Sequence, residues 1–212
     1  MKKIISILLC LLITVNIIGC TSQKVSQKSY SNKIYSTELT EDEKNIINLI
    51  GVASDIDIYK YEIDDTYETI SIWIETYKNG ELISNPSRMN SRIDLKEGKI
   101  AIIVDRDSNY KWRISHQNSS SLSTHSFQTK NDFETDGRFS VGGGELNQSV
   151  EIIPEKEIVL EKFLFEDGNT MSIYSNQYYV ENPEALKQYD YAYLIKCKFS
   201  RKNINEIDIE ER

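Results

Sequence analysis

The segment Tyr189–Phe199 alternates without a break. Tyr189, Tyr191, Tyr193, Ile195, Cys197 and Phe199 fall on one side, and Asp190, Ala192, Leu194, Lys196 and Lys198 on the other. A period of two residues belongs to a β-strand, and a strand with one such apolar face must cover it with a second layer. The same logic reads Tyr67–Lys78, where Ile70, Ile72 and Ile74 oppose Ser71, Trp73, Glu75 and Tyr77. Lys78-Asn79-Gly80-Glu81 then supplies an Asn-Gly hairpin turn, whose two central residues need positive φ. Lys99–Val104 is almost continuously apolar, as expected of a central strand, and Tyr110, Trp112 and Ile114 line one face of the next. Weaker strand signals lie at Thr124–Thr129, Arg138–Gly142 and Val150–Ile153. Glu157–Phe165 is long and apolar, and Asp167-Gly168 turns it back into Thr170–Tyr174. Asp55–Asp64 also alternates, but its parity changes between Ile58 and Tyr59, which predicts a bulge there.

Helical signals are few. Thr40-Glu41-Asp42-Glu43 matches a capping box, and an apolar stripe of Ile46, Ile47, Leu49 and Ile50 ends at Gly51, so a short helix is predicted over 41–50. Asn182-Pro183-Glu184 opens a second helical turn. The expected fold is therefore all-β, an antiparallel β-sandwich with one or two short helices.

The N-terminus carries a different kind of signal. Lys2 and Lys3 precede Ile4–Ile18, a run in which Ser6, Thr14 and Asn16 are the only polar residues. It has the length of an export signal and is short for a membrane span of about 20 residues. It ends Ile17-Ile18-Gly19-Cys20, which resembles the lipobox of bacterial lipoproteins. The resemblance implies that 1–19 is removed and that Cys20 is diacylated on sulfur as the first mature residue. Two acyl chains give stable membrane attachment. With Cys10 gone and Cys20 lipidated, Cys197 stands alone, and its place in the apolar register of the last strand predicts a buried, inert thiol. Thr21–Ser36 is rich in Ser, Gln, Lys and Asn, has no acidic residue and reads as a stalk. The predicted organisation is a signal at 1–19, a tether with lipidated Cys20 at 20–37, a β-sandwich at 38–199 and a charged tail at 200–212.

The net charge of −8 and the lack of a basic cluster in the folded region exclude nucleic acid as a partner. A hydrophobic fraction of 39% with 10% aromatics excludes a disordered chain.

Motifs for chemistry are incomplete. His116 and His125 flank Ser119–Ser121 and Ser123, but no Gly-x-Ser-x-Gly turn is present, and the run reads as a solvated loop or exposed strand. Two histidines nine apart do not make a zinc site. Asp105-Arg106-Asp107-Ser108-Asn109 begins like a calcium loop, yet Tyr110 stands where glycine is needed and His116 where glutamate is, so a polar hairpin turn is expected. Gly142-Gly143-Gly144 has no following lysine or helix signal and reads as a flexible loop. Asp64-Asp65 and Glu166-Asp167 are acidic pairs in turns. No catalytic residue, metal or cofactor is expected. Trp73 and Tyr77, opposite the Ile face, form a candidate binding patch for a sugar ring or a partner side chain if that face is open. The alternative is that the two rings pack beneath loops.

The segment Ile72–Gly80 and the Tyr-rich last strand resemble the small β-rich lipoproteins of Firmicutes, a resemblance that implies no activity. The expectation is a non-enzymatic lipoprotein on the outer face of a Gram-positive cytoplasmic membrane, held through Cys20, that binds a protein or an envelope polymer. Two rivals are an accessory or immunity-type subunit of a membrane transporter complex and an envelope hydrolase.

Overall fold

The computed structural model of the chain describes residues 31–49, 55–84, 88–105, 111–118, 121–128, 139–168 and 170–210. In chain order the strands are β1 (Lys33–Ser36), β2 (Asp55–Glu62), β3 (Thr69–Lys78), β4 (Glu81–Ser84), β5 (Met89–Arg92) and β6 (Glu97–Asp105), then β7 (Lys111–Asn118), β8 (Ser121–Gln128), β9 (Phe139–Glu145), β10 (Val150–Glu151), β11 (Glu157–Asp167) and β12 (Tyr191–Ser200). The helices are α1 (Glu41–Leu49), α2 (Tyr178–Glu181) and α3 (Ile204–Glu210), with a 3₁₀ segment at Pro183–Gln188. One sheet has the order β10-β1-β2-β6-β7-β8 and the other β4-β3-β12-β11-β9, with β5 also paired to β3. Every pairing is antiparallel. The protein is an all-β, two-sheet antiparallel sandwich.

The main core lies between the sheets and follows the alternation read above. Tyr193, Ile195, Cys197 and Phe199 from β12 meet Ile70, Ile72 and Ile74 from β3, and the first sheet contributes Tyr59, Tyr61, Ile100, Ile102, Trp112 and Ile114. Aromatic edges lock the two layers: Trp112 sits 5.1 Å from Phe163 and 5.7 Å from Tyr193, centroid to centroid. The β3–β4 hairpin turns through Asn79 (φ 51°) and Gly80 (φ 78°), as the Asn-Gly pair requires. At α1 the capping box forms, with the Thr40 amide donating to Glu43 at 2.8 Å and the Glu43 amide to Thr40 Oγ1 at 3.3 Å. No residue of this helix is buried, and Ile46 is 60% exposed.

Five local expectations are corrected. β2 pairs with β6 in continuous register, so no bulge occurs at Ile58–Tyr59. Its parity change reflects burial: Tyr59 and Tyr61 face the core, whereas Ile56 and Ile58 lie half-buried on the outer face. The irregularity falls instead in β11, between Val159 and Glu161. The sandwich begins at Lys33 rather than 38, because β1 pairs with both β2 and β10. The tail folds as α3, capped by Asn203, whose Oδ1 accepts from the amides of Asn205 and Glu206 at 3.0 and 3.2 Å, and it buries Ile207.

The last two corrections concern Gly142-Gly143-Gly144, which lies within β9, and Thr170–Tyr174, which is not a strand. The two are linked. A Cβ at Gly142 would sit 2.5 Å from Ile173 Cδ1 and 2.6 Å from Met171 Sδ, so the bare backbone there gives the 171–173 segment room to lie across the sheet.

Cys197 is fully buried, and burial pushes its thiol well above the ordinary range. Native protein is expected to resist a maleimide for hours and to react at once after denaturation. Rapid labelling under native conditions would contradict this placement.

Candidate functional site: polar clusters on the outer face of the second sheet

Register places three cross-strand rows on the face of β3, β12, β11 and β9 that points away from the core. They are Trp73–Lys196–Val159, Glu75–Leu194–Lys162–Gly144 and Tyr77–Ala192–Leu164–Gly142. The apolar centre of this face, with Val159, Leu164, Ala192 and Leu194, is roofed by Tyr179, Leu186 and Tyr189 from the 178–189 segment. Polar groups remain on either side of that roof.

On the β3 side, Glu75 is the hub. Its carboxylate accepts from Trp73 Nε1 at 2.9 Å, from the Tyr77 hydroxyl at 2.6 Å and from Lys196 Nζ at 2.7 Å. Lys196 also reaches Glu157 at 3.0 Å. Burial alone would raise the Glu75 carboxyl, but the donors Lys196, Tyr77 and Trp73 outweigh it and hold it below its usual value. The Arg88 guanidinium lies 4.0 Å over the Trp73 ring.

This corrects the expected binding patch. Trp73 and Tyr77 do lie on the outer face, but Trp73 is 0% exposed and Tyr77 is half-buried with its hydroxyl bound to Glu75. A buried indole N–H needs an acceptor, and Glu75 provides it. The pair is part of a satisfied polar network rather than an open aromatic surface.

On the β9 side the arrangement differs. The β11 bulge turns Leu160 toward the core and leaves its carbonyl to accept from Tyr59 OH at 3.2 Å and Asn176 Nδ2 at 2.9 Å. Asn176 Nδ2 also donates to the Gly144 carbonyl at 3.2 Å. With the amide nitrogen so engaged, Oδ1 is the atom that faces Lys162, whose Nζ donates to it. Lys162 is only 4% exposed. Among the described residues Asn176 is its one hydrogen-bond partner, and no carboxylate pairs with it. Burial lowers its pKa from the ordinary lysine value. Beside it opens a cleft of about 430 Å³ lined by Gly143, Gly144, Glu145, Asn147 and the 173–176 segment. The sequence held a hint of this: Glu161 and Lys162 interrupt an otherwise apolar run, where a buried charge always demands an explanation.

His116 is buried and hydrogen-bonded to Tyr61 OH at 2.8 Å. Ser123 pairs with His116 across β7 and β8, and His125 with Ile114. Ser119 and residues 106–110 of the calcium-like loop lie outside the described residues, as do 1–30, including Cys20 and the signal. Asp64 closes a turn by accepting from the Thr66 amide at 2.9 Å and Asn32 Nδ2 at 2.9 Å. In the Glu166-Asp167 pair, the Asp167 amide donates to Asp190 at 2.7 Å. Among the described residues no group of three or more His, Cys, Asp or Glu is arranged to hold a metal, and no helix is long and apolar enough to cross a membrane.

Fold and site together define a β-sandwich domain with a roofed outer sheet and a polar cleft at the margin of the roof. Residues 33–199, from the first residue of β1 into the last strand, match the YgaN domain, and the chain belongs to that family. No curated protein and no solved structure matches the chain.

Two outcomes follow from the buried groups. Trp73→Ala is expected to cost about 3–5 kcal/mol of unfolding free energy, measured by urea denaturation, because it empties a packed site and removes a donor from Glu75. A loss under about 1 kcal/mol would mean that the ring is not buried. Burial also lowers the His116 pKa to about 4, against 6.5 for the ordinary ring. The folded state therefore keeps His116 neutral where the unfolded chain takes up a proton. Its contribution is complete above pH 6.5, falls as the pH drops toward 4 and then levels off, a loss of about 3 kcal/mol. His116→Gln is expected to flatten the stability curve between pH 6.5 and 4.5, and a wild-type curve already flat there would contradict the placement.

Proposed function

We propose that the chain is a membrane-anchored, non-enzymatic binding module, displayed on the outer face of a Gram-positive cytoplasmic membrane and held through lipid on Cys20. The observation that carries this reading is the order of its parts: a Lys2-Lys3 start, an apolar run and Ile17-Ile18-Gly19-Cys20, followed by a sandwich that begins at Lys33. Binding rather than chemistry is supported by the way the buried polar groups are engaged. Glu75 is engaged by three donors, and His116 is neutral and bonded to Tyr61. The ligand is a protein or an envelope polymer.

An accessory subunit docked on a membrane transporter is a second reading, favoured by one observation. The apolar side of α1, with Ile46 60% exposed, stands open just after β1, near the start of the sandwich.

Cys20→Ala in cells is expected to move the protein from the membrane fraction to the medium or to leave its precursor unprocessed. Mass spectrometry of the wild type is expected to find a diacylated N-terminal Cys20. An unmodified N-terminus at a later residue would overturn the anchor. Co-sedimentation of the full chain with isolated envelopes, lost after polymer digestion, tests the binding reading. Cross-linking from α1 to a membrane complex, with no retention on envelopes, would favour the accessory subunit instead.

A further inference from the structure

We infer that the cleft beside Lys162 binds a saccharide carrying a carboxylate or phosphate group, with the acidic group on the Lys162 ammonium and the sugar ring against Tyr174. This rests on the binding-module reading and names the ligand class of that module.

A buried cation is costly unless it is paired. Lys196, in the neighbouring cross-strand row, shows how this sheet pairs one, with Glu75 and Glu157 at 2.7 and 3.0 Å. Lys162 has only the neutral amide oxygen of Asn176 among the described residues. That amide is held by two backbone carbonyls, Leu160 and Gly144, so it cannot rotate to offer anything else. An ammonium has three donors, and the other two are left for a group that enters the cleft. The partner that best offsets the cost of burying the charge is an anion able to accept more than one hydrogen bond.

The cleft wall supports the anion's approach. Gly143 and Gly144 place bare backbone beside Lys162, and a Cβ at Gly144 would lie 4.0 Å from Nζ, in space the ligand needs. Among the described residues of the lining the one carboxylate, Glu145, is engaged by the Ser36 hydroxyl.

The mouth supports a sugar. Tyr174 is 41% exposed, and one side of its ring is stacked on Tyr178 with centroids 4.4 Å apart, so it is held rather than mobile. A fixed aromatic face with amide and hydroxyl groups beside it, here Asn147 and Ser175, suits the apolar face and the hydroxyls of a pyranose ring. An acidic peptide would use the ammonium but not this combination.

The test uses the full chain in detergent, with glucuronate, glucose 6-phosphate, glucose, acetate, inorganic phosphate and an acetylated Asp dipeptide as probes. Affinity is read by calorimetry and protection by melting temperature. Glucuronate or glucose 6-phosphate is expected to bind at least tenfold more tightly than glucose, acetate or phosphate. Preference between the first two distinguishes a carboxylate from a phosphate ligand. Lys162→Met keeps the volume and removes the charge, so it is expected to leave the melting temperature unchanged or higher while weakening sugar-acid binding at least tenfold. Tyr174→Ala, at an exposed position, is expected to weaken the same ligands and to leave acetate unaffected. The inference is overturned if no sugar acid binds, if glucose binds as well as glucuronate, if the dipeptide binds as tightly as the sugar acids, or if Lys162→Met lowers the melting temperature. Retention on envelopes with no sugar-acid binding would overturn the ligand class alone. Loss of both would overturn the binding module itself.

Discussion

Burial of both faces of β12 is the constraint from which the rest of the structure follows. Its inner side, Tyr193, Ile195, Cys197 and Phe199, forms the middle of the sandwich, and its outer side, Ala192 and Leu194, is roofed by Tyr179, Leu186 and Tyr189. A strand covered on one side leaves its charges to water. A strand covered on both must neutralise them within the protein. Lys196 therefore requires Glu75 and Glu157, Glu75 in turn accepts from Trp73 and Tyr77, and β3 is fastened to β12 by polar contacts as well as by the ladder. The same demand is met only partly at Lys162, and that difference marks where the covered face opens.

The roof depends on small details of sequence. Gly142 of β9 has no side chain to obstruct Met171 and Ile173, so the 171–173 segment lies across the sheet instead of continuing as a strand. The bulge in β11 frees the Leu160 carbonyl, which anchors Asn176, and Asn176 fixes the Lys162 side chain. Tyr179 and Tyr189 bond to each other through their hydroxyls at 2.8 Å, so the aromatic lid carries no unsatisfied oxygen there. A local irregularity, a run of small residues and one amide together build the cleft.

Much of the fold was legible because strand periodicity is a local property. Tyr189–Phe199, Ile70–Ile74 and the Asn79-Gly80 turn all declare themselves within a few residues, and the capping box at Thr40 needs only four. What covers a face is not local. The register correctly puts Trp73 opposite Ile72 and Ile74, but nothing near residue 73 tells that Arg88 lies over its ring or that Lys196 supplies a cation beside it. The parity change in β2 looked like a bulge because Ile56 and Ile58 are apolar on an outer face that stays half-buried. The candidate cleft was the least legible part. Its members come from β9, β11 and the 173–176 segment, and only the charge pair Glu161-Lys162 within an apolar run pointed toward it.

The cleft depends on Lys162 being a buried ammonium to which no carboxylate among the described residues is paired, and the titration of its side-chain nitrogen tests this most directly. With the full chain labelled at lysine Nζ, heteronuclear magnetic resonance is expected to show Lys162, assigned by its loss in Lys162→Met, titrating below the ordinary lysine value of 10.5. Burial with only a neutral amide as partner requires that direction. Titration at or above 10.5 would mean that the ammonium is solvated or paired with an acid, and the cleft would then have no reason to take up an anion.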